Sequence, residues 1–188
     1  MSENKVTYGL ENVHYAPITL NSETNKITYG TPKRIPGAVE LSLEKKGDMV
    51  EFPADNITYF AKDNNLGYDG TAIFAKLPDD FLIEILGEKI QDGVQVELAD
   101  SANKQFALLF QFEGDKHKNL YVLYYCSASR PSVASKTNST GEPNTQELKF
   151  VSSPRPGDKL VKARTNSETP ADILENWFMS VFEPGGAE

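Results

Sequence analysis

The chain has 188 residues, is 39% hydrophobic and 10% aromatic, and carries a formal net charge of −8 at pH 7. A chain of this length buries roughly 70% of the surface that its unfolded form exposes, so we expect one folded domain spanning 1–188. The charge argues against a protein whose main task is to hold a phosphate backbone, because such binding needs clustered Lys and Arg.

The single cysteine and the hydropathy pattern bear on where the protein works. Cys126 has no partner for an intrachain disulfide, which indicates a reducing, cytosolic compartment rather than secretion. Residues 1–20 lack the continuous apolar core of a signal peptide. No segment approaches the ~20 apolar residues of a transmembrane helix, so we expect no membrane association.

Alternation of apolar and polar residues runs through most of the chain and predicts half-buried antiparallel strands. In VELSLE the alternation places Val39, Leu41 and Leu43 toward a core. In the strand at 94–98, it places Val94 and Val96 on a core-facing side. Further strands are predicted at residues 6–19, 26–30, 49–53, 56–61, 70–76, 119–128, 146–152 and 158–165.

The segment LPDDFLIEILG predicts a first, short helix. Pro78 suits the first turn, and the carboxylates of Asp79 and Asp80 are favoured at the positive end of the helix dipole. Gly87 provides the C-terminal stop.

The strands FALLFQF (106–112) and LYVLYYCSA (120–128) are joined by a polar segment and predict a hairpin. Both strands carry apolar residues on both faces. This pattern predicts a central pair covered on each side by a second layer or by another subunit. Cys126 shares the parity of Val122 and Tyr124 and is predicted to be a small buried hydrophobe on their face rather than a nucleophile.

A second helix is predicted to start with Thr169 as N-cap and Pro170 at the first helical position, and to end before Pro184. The helices are too few for repeated strand–helix crossovers. The sequence therefore predicts a mainly β fold, an antiparallel β-sandwich or barrel with two added short α-helices. The apolar stripe of the second helix comprises Ile173, Leu174, Trp177, Phe178 and Val181.

The longest irregular stretch is SASRPSVASKTNSTGEPNTQE, residues 127–147. It is rich in Ser, Thr, Asn and Pro and has no large apolar side chain apart from Val133. Long loops inside compact domains are usually either functional or disordered, so we expect a protruding arm here. We also expect a flexible C-terminal end at 184–188.

The sequence offers no arrangement of residues suited to catalysis. His14 and His117 are the only histidines, and neither belongs to a metal-binding spacing. No nucleophile elbow, phosphate-binding loop or dinucleotide fingerprint is present. We therefore expect no enzyme activity, no catalytic residue, no cofactor and no metal.

Four cations cluster near the predicted strand at 158–165, namely Arg155, Lys159, Lys162 and Arg164. The simpler interpretation is a solvated strand face. The alternative is a surface complementary to an acidic patch on an adjacent subunit.

Several segments resemble, in the same order, the major tail proteins of long-tailed bacteriophages (siphophages), which are the subunits of the tail tube. The resemblance covers nearly the whole chain, and no one motif is diagnostic. The segments are YGLENVHYAPIT, TYGTPKRIPGAVELSLE, ADNITYFAKDNNLGYDG, LPDDFLIEILG, FALLFQFEGDK with LYYCSASRPS, and ENWFMSVFEP.

The resemblance implies a structural virion protein of the tail-tube fold, made in the cytoplasm of the bacterial host. It implies hexameric rings that stack into a hollow tube through which DNA is ejected without specific binding. The implied partners are other copies of the chain and other tail proteins such as the tape measure, tail terminator and distal tail proteins. An acidic chain suits a channel through which DNA must slide without sticking.

Within this framework, residues 44–70 are predicted to form a strand–loop–strand excursion that contacts an adjoining subunit or ring. The segment combines polar and aromatic residues with no chemistry to perform. The predicted contact residues are Asp55, Asn56, Tyr59, Asn64, Asn65 and Tyr68.

Two other functions are compatible with a β-rich chain. A carbohydrate-binding β-sandwich would use exposed aromatic side chains gathered on one rigid face. A hydrolase on a β scaffold has less support, because neither histidine has an evident partner.

Overall fold

The computed structural model describes residues 9–24, 26–54, 56–113, 119–133 and 143–185. Part of the predicted arm therefore lies outside the described residues. His117 and the last three residues of the C-terminal end also lie outside them. None of the described helices is long and apolar enough to cross a membrane.

In chain order, the elements are β1 Leu10–Leu20, β2 Ile27–Tyr29, β3 Lys33–Arg34, β4 Ala38–Lys45, β5 Met49–Ala54, β6 Ile57–Asp63, β7 Tyr68–Phe74, α1 Asp79–Glu84, β8 Lys89–Gln91, β9 Val94–Val96, β10 Phe106–Phe112, β11 Leu120–Ala128, β12 Gln146–Ser152, β13 Lys162–Arg164 and α2 Ala171–Asn176.

One antiparallel sheet dominates the described chain, with strand order β2-β1-β10-β11-β12-β7-β4. Strand β3 adds to β1, and β13 adds to β11 beside β12. The hairpins β5–β6 and β8–β9 form two further small sheets. The mainly β, antiparallel fold with two short helices is thus confirmed. The hydrogen-bonded path between β2 and β4 does not close into a barrel within the described residues.

The first core cluster lies on one face of the central strands. Tyr15 of β1, Phe74 of β7 and Phe106 of β10 are fully buried there, together with Phe81 of α1 and Ile85, the residue that follows the helix. The α1 helix begins after Pro78, as the sequence predicts, and Gly87 follows it at φ +75°. Burial of Phe81 and Ile85 anchors this six-residue helix, because so short a helix has little stability of its own.

The second core cluster lies on the opposite face of the central strands. Leu109 of β10 and Val122 and Tyr124 of β11 pack there against Trp177 and Val181 of the C-terminal segment. The hairpin β10–β11 and its burial on both faces are therefore confirmed. The cover comes from the chain's own C-terminal segment, one of the two possibilities that the sequence left open.

An extra residue in β11 changes which face its later side chains occupy. Leu108 pairs with Leu123, whereas Phe106 pairs with Cys126, so one residue of β11 is not matched in the register. Cys126 consequently belongs to the first cluster, and its predicted place on the face of Tyr124 is wrong. Its burial is confirmed. Burial raises the pKa of the Cys126 thiol to about 12, so the thiolate is scarce at neutral pH.

Two valines predicted to face a core are exposed. Val39 is 58% exposed, because an irregularity between Ala38 and Glu40 shifts its pairing with β7. Val94 is 62% exposed, because β8–β9 is a small separate hairpin rather than a strand of the main sheet. Regular alternation in sequence reports neither a bulge nor the absence of a covering layer.

The α2 helix is shorter than predicted and begins one residue later. Pro170, with ψ 145°, is the boundary residue, so Thr169 is not the N-cap. The Thr169 hydroxyl instead accepts a hydrogen bond from the Asn166 N–H at 2.9 Å. After Asn176 the chain continues in turns that still place Trp177 and Val181 against the sheet. The apolar stripe therefore predicts correctly that Trp177 and Val181 are buried, whereas the predicted length of the helix is wrong.

Arg155 ties the C-terminal segment to the sheet. Its side chain is only 10% exposed and forms ion pairs with Asp158 at 2.6 Å and Glu183 at 2.8 Å. It also donates to the Tyr29 hydroxyl at 3.1 Å and lies 5.0 Å from the centre of the Tyr124 ring. The hydrogen bond from Arg155 lowers the pKa of Asp158. For Arg155, the predicted solvated strand face is therefore wrong.

We expect Trp177→Ala to lower the free energy of unfolding by about 3–5 kcal/mol, because it opens a cavity in the second cluster. Met179→Ala is the matched control, since Met179 lies two residues away and is 69% exposed. We expect the control to change stability by less than ~0.5 kcal/mol. Urea unfolding monitored by circular dichroism measures both variants, and equal losses would contradict the assigned role of the C-terminal segment.

His14 is expected to make stability depend on pH. Its ring stacks on Phe178 with centroids 4.7 Å apart, and burial lowers its pKa. A lowered pKa means that the folded state favours neutral imidazole. Stability is therefore complete above the unfolded value of ~6.5 and falls as pH drops toward the folded value.

The test compares unfolding free energies at pH 8 and pH 5 for the wild type and for His14→Phe. The variant keeps an aromatic ring against Phe178 but cannot bind a proton. We expect a smaller pH-dependent loss in the variant than in the wild type. Equal losses would show that other groups account for the pH dependence.

Candidate assembly surfaces

The hairpin β5–β6 is the most exposed apolar element of the described chain. Its strands pair only with one another and form a sheet separate from the main one. Every side chain that the structure describes in it is exposed. Its large apolar residues include Met49, Val50, Phe52, Ile57, Tyr59 and Phe60. A free two-stranded hairpin is marginally stable in water, and an exposed apolar patch of this kind marks a candidate contact surface.

The register of the hairpin separates its side chains by character, because cross-strand partners share a face. Phe52 pairs with Phe60, Val50 with Lys62, and Ala54 with Ile57. We call the side formed by Val50, Phe52, Ile57 and Phe60 the apolar face. Lys62, the partner of Val50, lies on the same side toward the base of the hairpin.

The other side of the same hairpin is acidic. Met49 pairs with Asp63, and Glu51 pairs with Ala61. We call the side formed by Met49, Glu51, Ala61 and Asp63 the acidic face. The hairpin therefore presents two chemically different surfaces, and neither is covered within the described chain.

Two glycines hold the base of the hairpin in a bend. Gly47 has φ +112° and Gly67 has φ +100°. A Cβ atom on Gly47 would lie 1.7 Å from the Asn64 carbonyl oxygen, and one on Gly67 would lie 1.8 Å from the Ser152 carbonyl oxygen. Hydrogen bonds between Lys46 and both Leu66 and Gly67 close this base. Only glycine fits either position, so the angle of the hairpin is set locally.

The predicted contact residues lie in three places. Asn56 is at the tip of the hairpin with φ +61°, and Tyr59 in β6 is 71% exposed. Asn64 and Asn65 are exposed at the base, where the Asn65 side chain accepts a hydrogen bond from the Gly67 N–H. Tyr68 belongs to β7, and its hydroxyl accepts a hydrogen bond from Lys162 at 2.9 Å. Asp55 lies outside the described residues.

The sequence does not reveal the apolar face as a whole. It predicts Val50 and Phe52 only as parts of a strand at 49–53, because alternation alone does not show whether a layer covers them. Their role as a contact surface remains a prediction, like that of the residues chosen from the sequence.

A third surface is the face of β4, β7 and β12 that points away from the first cluster. Glu40, Ile73 and Glu147 share one row across the three strands. In another row, Glu44 lies directly opposite Asp69, a like-charged pair that disfavours folding. The Glu147 carboxylate pairs with Lys149, and that of Asp69 pairs with Lys46. Glu40 and Glu44 form no ion pair within the described chain, and the surface is acidic.

The described residues contain no evident catalytic centre. No group of three or more metal-ligating side chains occurs among them. A groove of about 650 Å³ lies beside β2, and Arg155 is one of its lining residues. The charge of that guanidinium is already satisfied by Asp158 and Glu183.

The family of this chain is identified by comparison of its sequence with family models. The family described as "Phage tail tube protein" matches residues 1–177, so the chain belongs to it. The protein is a structural component of a phage tail and hence of the virion, as the resemblance implied. No curated protein sequence matches the chain significantly.

Solved structures that are similar to this chain share little sequence with it. The chain is similar to a chain in the anti-feeding prophage tube-terminating cap, with 11% identity, a TM-score of 0.50, and coverage of 88% of this chain and 97% of that one. It matches the sheath/tube terminator of an extracellular contractile injection system in its extended state at 11% identity, with a TM-score of 0.49 and coverage of 81% and 93%. The first similarity confirms the tail-tube type of fold.

We expect Gly67→Ala to destabilise the protein strongly, because the added Cβ would meet a backbone oxygen at a positive φ. Gly157→Ala is the control, since Gly157 has φ +99° but no atom within 4 Å of its added Cβ. The control isolates the cost of a left-handed conformation, about 1–2 kcal/mol. We expect Gly67→Ala to cost more than ~2 kcal/mol beyond it in denaturant unfolding. Equal costs would contradict the tight base.

Proposed function

We propose that this protein is the major tail protein of a long-tailed phage and assembles into hexameric rings that stack into the hollow tail tube. The uncovered β5–β6 hairpin carries the proposal. It combines an apolar face, an acidic face and two open strand edges in a chain of the tail tube family. Pairing with another copy would cover the apolar face and remove the open edges, which otherwise favour uncontrolled aggregation.

The acidic surface formed by β4, β7 and β12, which is separate from the hairpin, is proposed to line the channel. Its exposed carboxylates Glu40, Glu44 and Asp69 would repel the phosphates of passing DNA. The opposed Glu44 and Asp69 are unfavourable for folding, and a channel that must not retain DNA gives a reason for them. DNA would pass without specific binding.

The chain is further proposed to form one domain over residues 1–188 and to contact other tail proteins, such as the tape measure, tail terminator and distal tail proteins. Synthesis in the cytoplasm of the bacterial host belongs to the same proposal. The solved structures that share the fold come from tube, cap and terminator assemblies.

The alternatives receive no specific support from the geometry. A sugar-binding platform needs a rigid surface, whereas the exposed Phe52 and Phe60 lie on an isolated two-stranded hairpin. A hydrolase would need a partner for His14, whose Nδ1 donates to the Asn12 carbonyl oxygen and whose ring packs on Phe178.

The proposal is tested by negative-stain electron microscopy and light scattering of the purified protein over a concentration series. We expect rings or hollow tubes of uniform diameter above a threshold concentration. Tyr59→Ser/Tyr68→Ser should leave a folded protein that polymerises poorly, with a threshold raised about tenfold or more.

Met179→Ser is the control for Tyr59, because Met179 is exposed to a similar degree in a different part of the molecule. It should assemble like the wild type. Tyr68 is partly buried against the first core cluster, so circular dichroism must show that the double variant is folded. Unchanged tubes for the tyrosine variant would contradict the predicted contact residues. A wild-type protein that remains monomeric at every concentration and on preformed tails would contradict the tube itself.

A further inference from the structure

Strand β13 has an open edge. The Tyr124 N–H donates to the Val161 carbonyl oxygen, and the Thr165 N–H donates to that of Leu120. The backbone groups of residues 161, 163 and 165 therefore form the hydrogen bonds with β11. Because successive residues of an antiparallel strand point their N–H and C=O groups to opposite sides, those of Lys162 and Arg164 point away from β11, toward the open edge. Within the described chain, β13 pairs with no strand besides β11.

The two sides of this edge differ in chemistry. Lys162 and Arg164 are exposed and lie on the same face, and neither forms an ion pair with any described carboxylate. Ala163 points to the opposite face, where it and Leu160 are partly buried against the second core cluster. The edge is thus cationic on one face and apolar on the other.

These properties match the β5–β6 hairpin feature by feature. The hairpin has open strand edges, an acidic face with Glu51 and Asp63, and an apolar face. If it adds to β13 with its acidic face beside Lys162 and Arg164, its apolar face lies on the side of Ala163. Opposite charges and apolar contacts are then satisfied in one orientation, whereas the flipped orientation satisfies neither.

We propose that the open edge of β13 receives the β5–β6 hairpin of a second copy of this chain. This inference rests on the proposed tube assembly and names the surface that accepts the hairpin. Hairpin and β13 edge are different surfaces, so the contact is heterologous and can generate a ring. The bend at Gly47 and Gly67 separates the hairpin from its own main sheet, and no hydrogen bond or ion pair joins it to its own β13 in the described chain.

Charge reversal on each surface tests the contact. Lys162→Glu/Arg164→Glu makes the edge acidic, and Glu51→Lys/Asp63→Lys makes the hairpin basic. Either variant alone places like charges in contact, so we expect its threshold concentration for assembly to rise about tenfold or more. The two variants mixed in equal amounts can alternate around a ring with every contact complementary, so the mixture should assemble near the wild-type threshold. The quadruple variant should assemble as well.

Net charge provides an internal control. Each substitution changes the charge by two, so the edge variant carries −12 and the hairpin variant −4, against −8 for the wild type. General repulsion would impair only the more acidic variant, whereas the proposal impairs both. Lys26→Glu/Lys104→Glu has the charge of the edge variant with changes elsewhere and should assemble like the wild type.

Cysteine cross-linking gives a readout that does not need the charge variants to fold. Asp63→Cys and Arg164→Cys are prepared separately and mixed under oxidising conditions. A disulfide-linked dimer should form in the mixture and not with either variant alone, and the native Cys126 does not compete because it is fully buried.

The outcomes separate this inference from the proposed function. If wild-type tubes form and the charge variants assemble normally, or no mixed disulfide forms, the contact is wrong and the tube stands. If the quadruple variant assembles but the mixture does not, the hairpin pairs with its own β13 and the second copy is excluded. If the wild type forms neither rings nor tubes at any concentration and does not add to preformed tails, the proposed function and this contact both fail.

Discussion

Burial of the β10–β11 pair on both faces is the constraint on which the rest of the structure depends. Phe106 and Leu108 point into one cluster, while Ala107 and Leu109 point into the other. Two apolar faces need two covers, since exposed apolar surface costs roughly 25 cal/mol per Å². Residues of β7, β12 and α1 supply one cover, and the C-terminal segment supplies the other. The positions of both helices follow from this requirement, which explains how such short helices persist.

The cations near β13 differ in burial and therefore in what they can do. Arg155, the buried cation, is fully engaged with Asp158, Glu183 and Tyr29 and holds the C-terminal cover in place. The exposed cations Lys162 and Arg164 form no ion pair within the described chain, although Lys162 donates a hydrogen bond to the Tyr68 hydroxyl. Breaking a buried pair leaves a desolvated charge, whereas an exposed charge remains hydrated. Arg155 therefore serves the fold, while Lys162 and Arg164 are the cations that the proposed contact would use.

The hairpin β5–β6 is apolar in composition but is not covered by the rest of the described chain. It has the composition of a core element, but the glycine bend at its base carries it away from the sheet that could cover it. A two-stranded hairpin is marginally stable on its own, so in the proposed assembly the contact with another copy would also stabilise the hairpin. In the same proposal the acidic net charge is useful before assembly, because mutual repulsion opposes premature contact.

The sequence by itself determined the fold class, most strand positions, the two-faced central hairpin and the C-terminal apolar stripe. These features follow from local periodicity, which the order of residues encodes directly. Tertiary structure alone decided the face of Cys126, the exposure of Val39 and Val94, the burial of Arg155 and the isolation of β5–β6. Each of these depends on a bulge, a bend or a layer supplied by residues distant in the chain. Periodicity shows that a side chain has an apolar face to cover, and only the packed structure shows whether anything covers it.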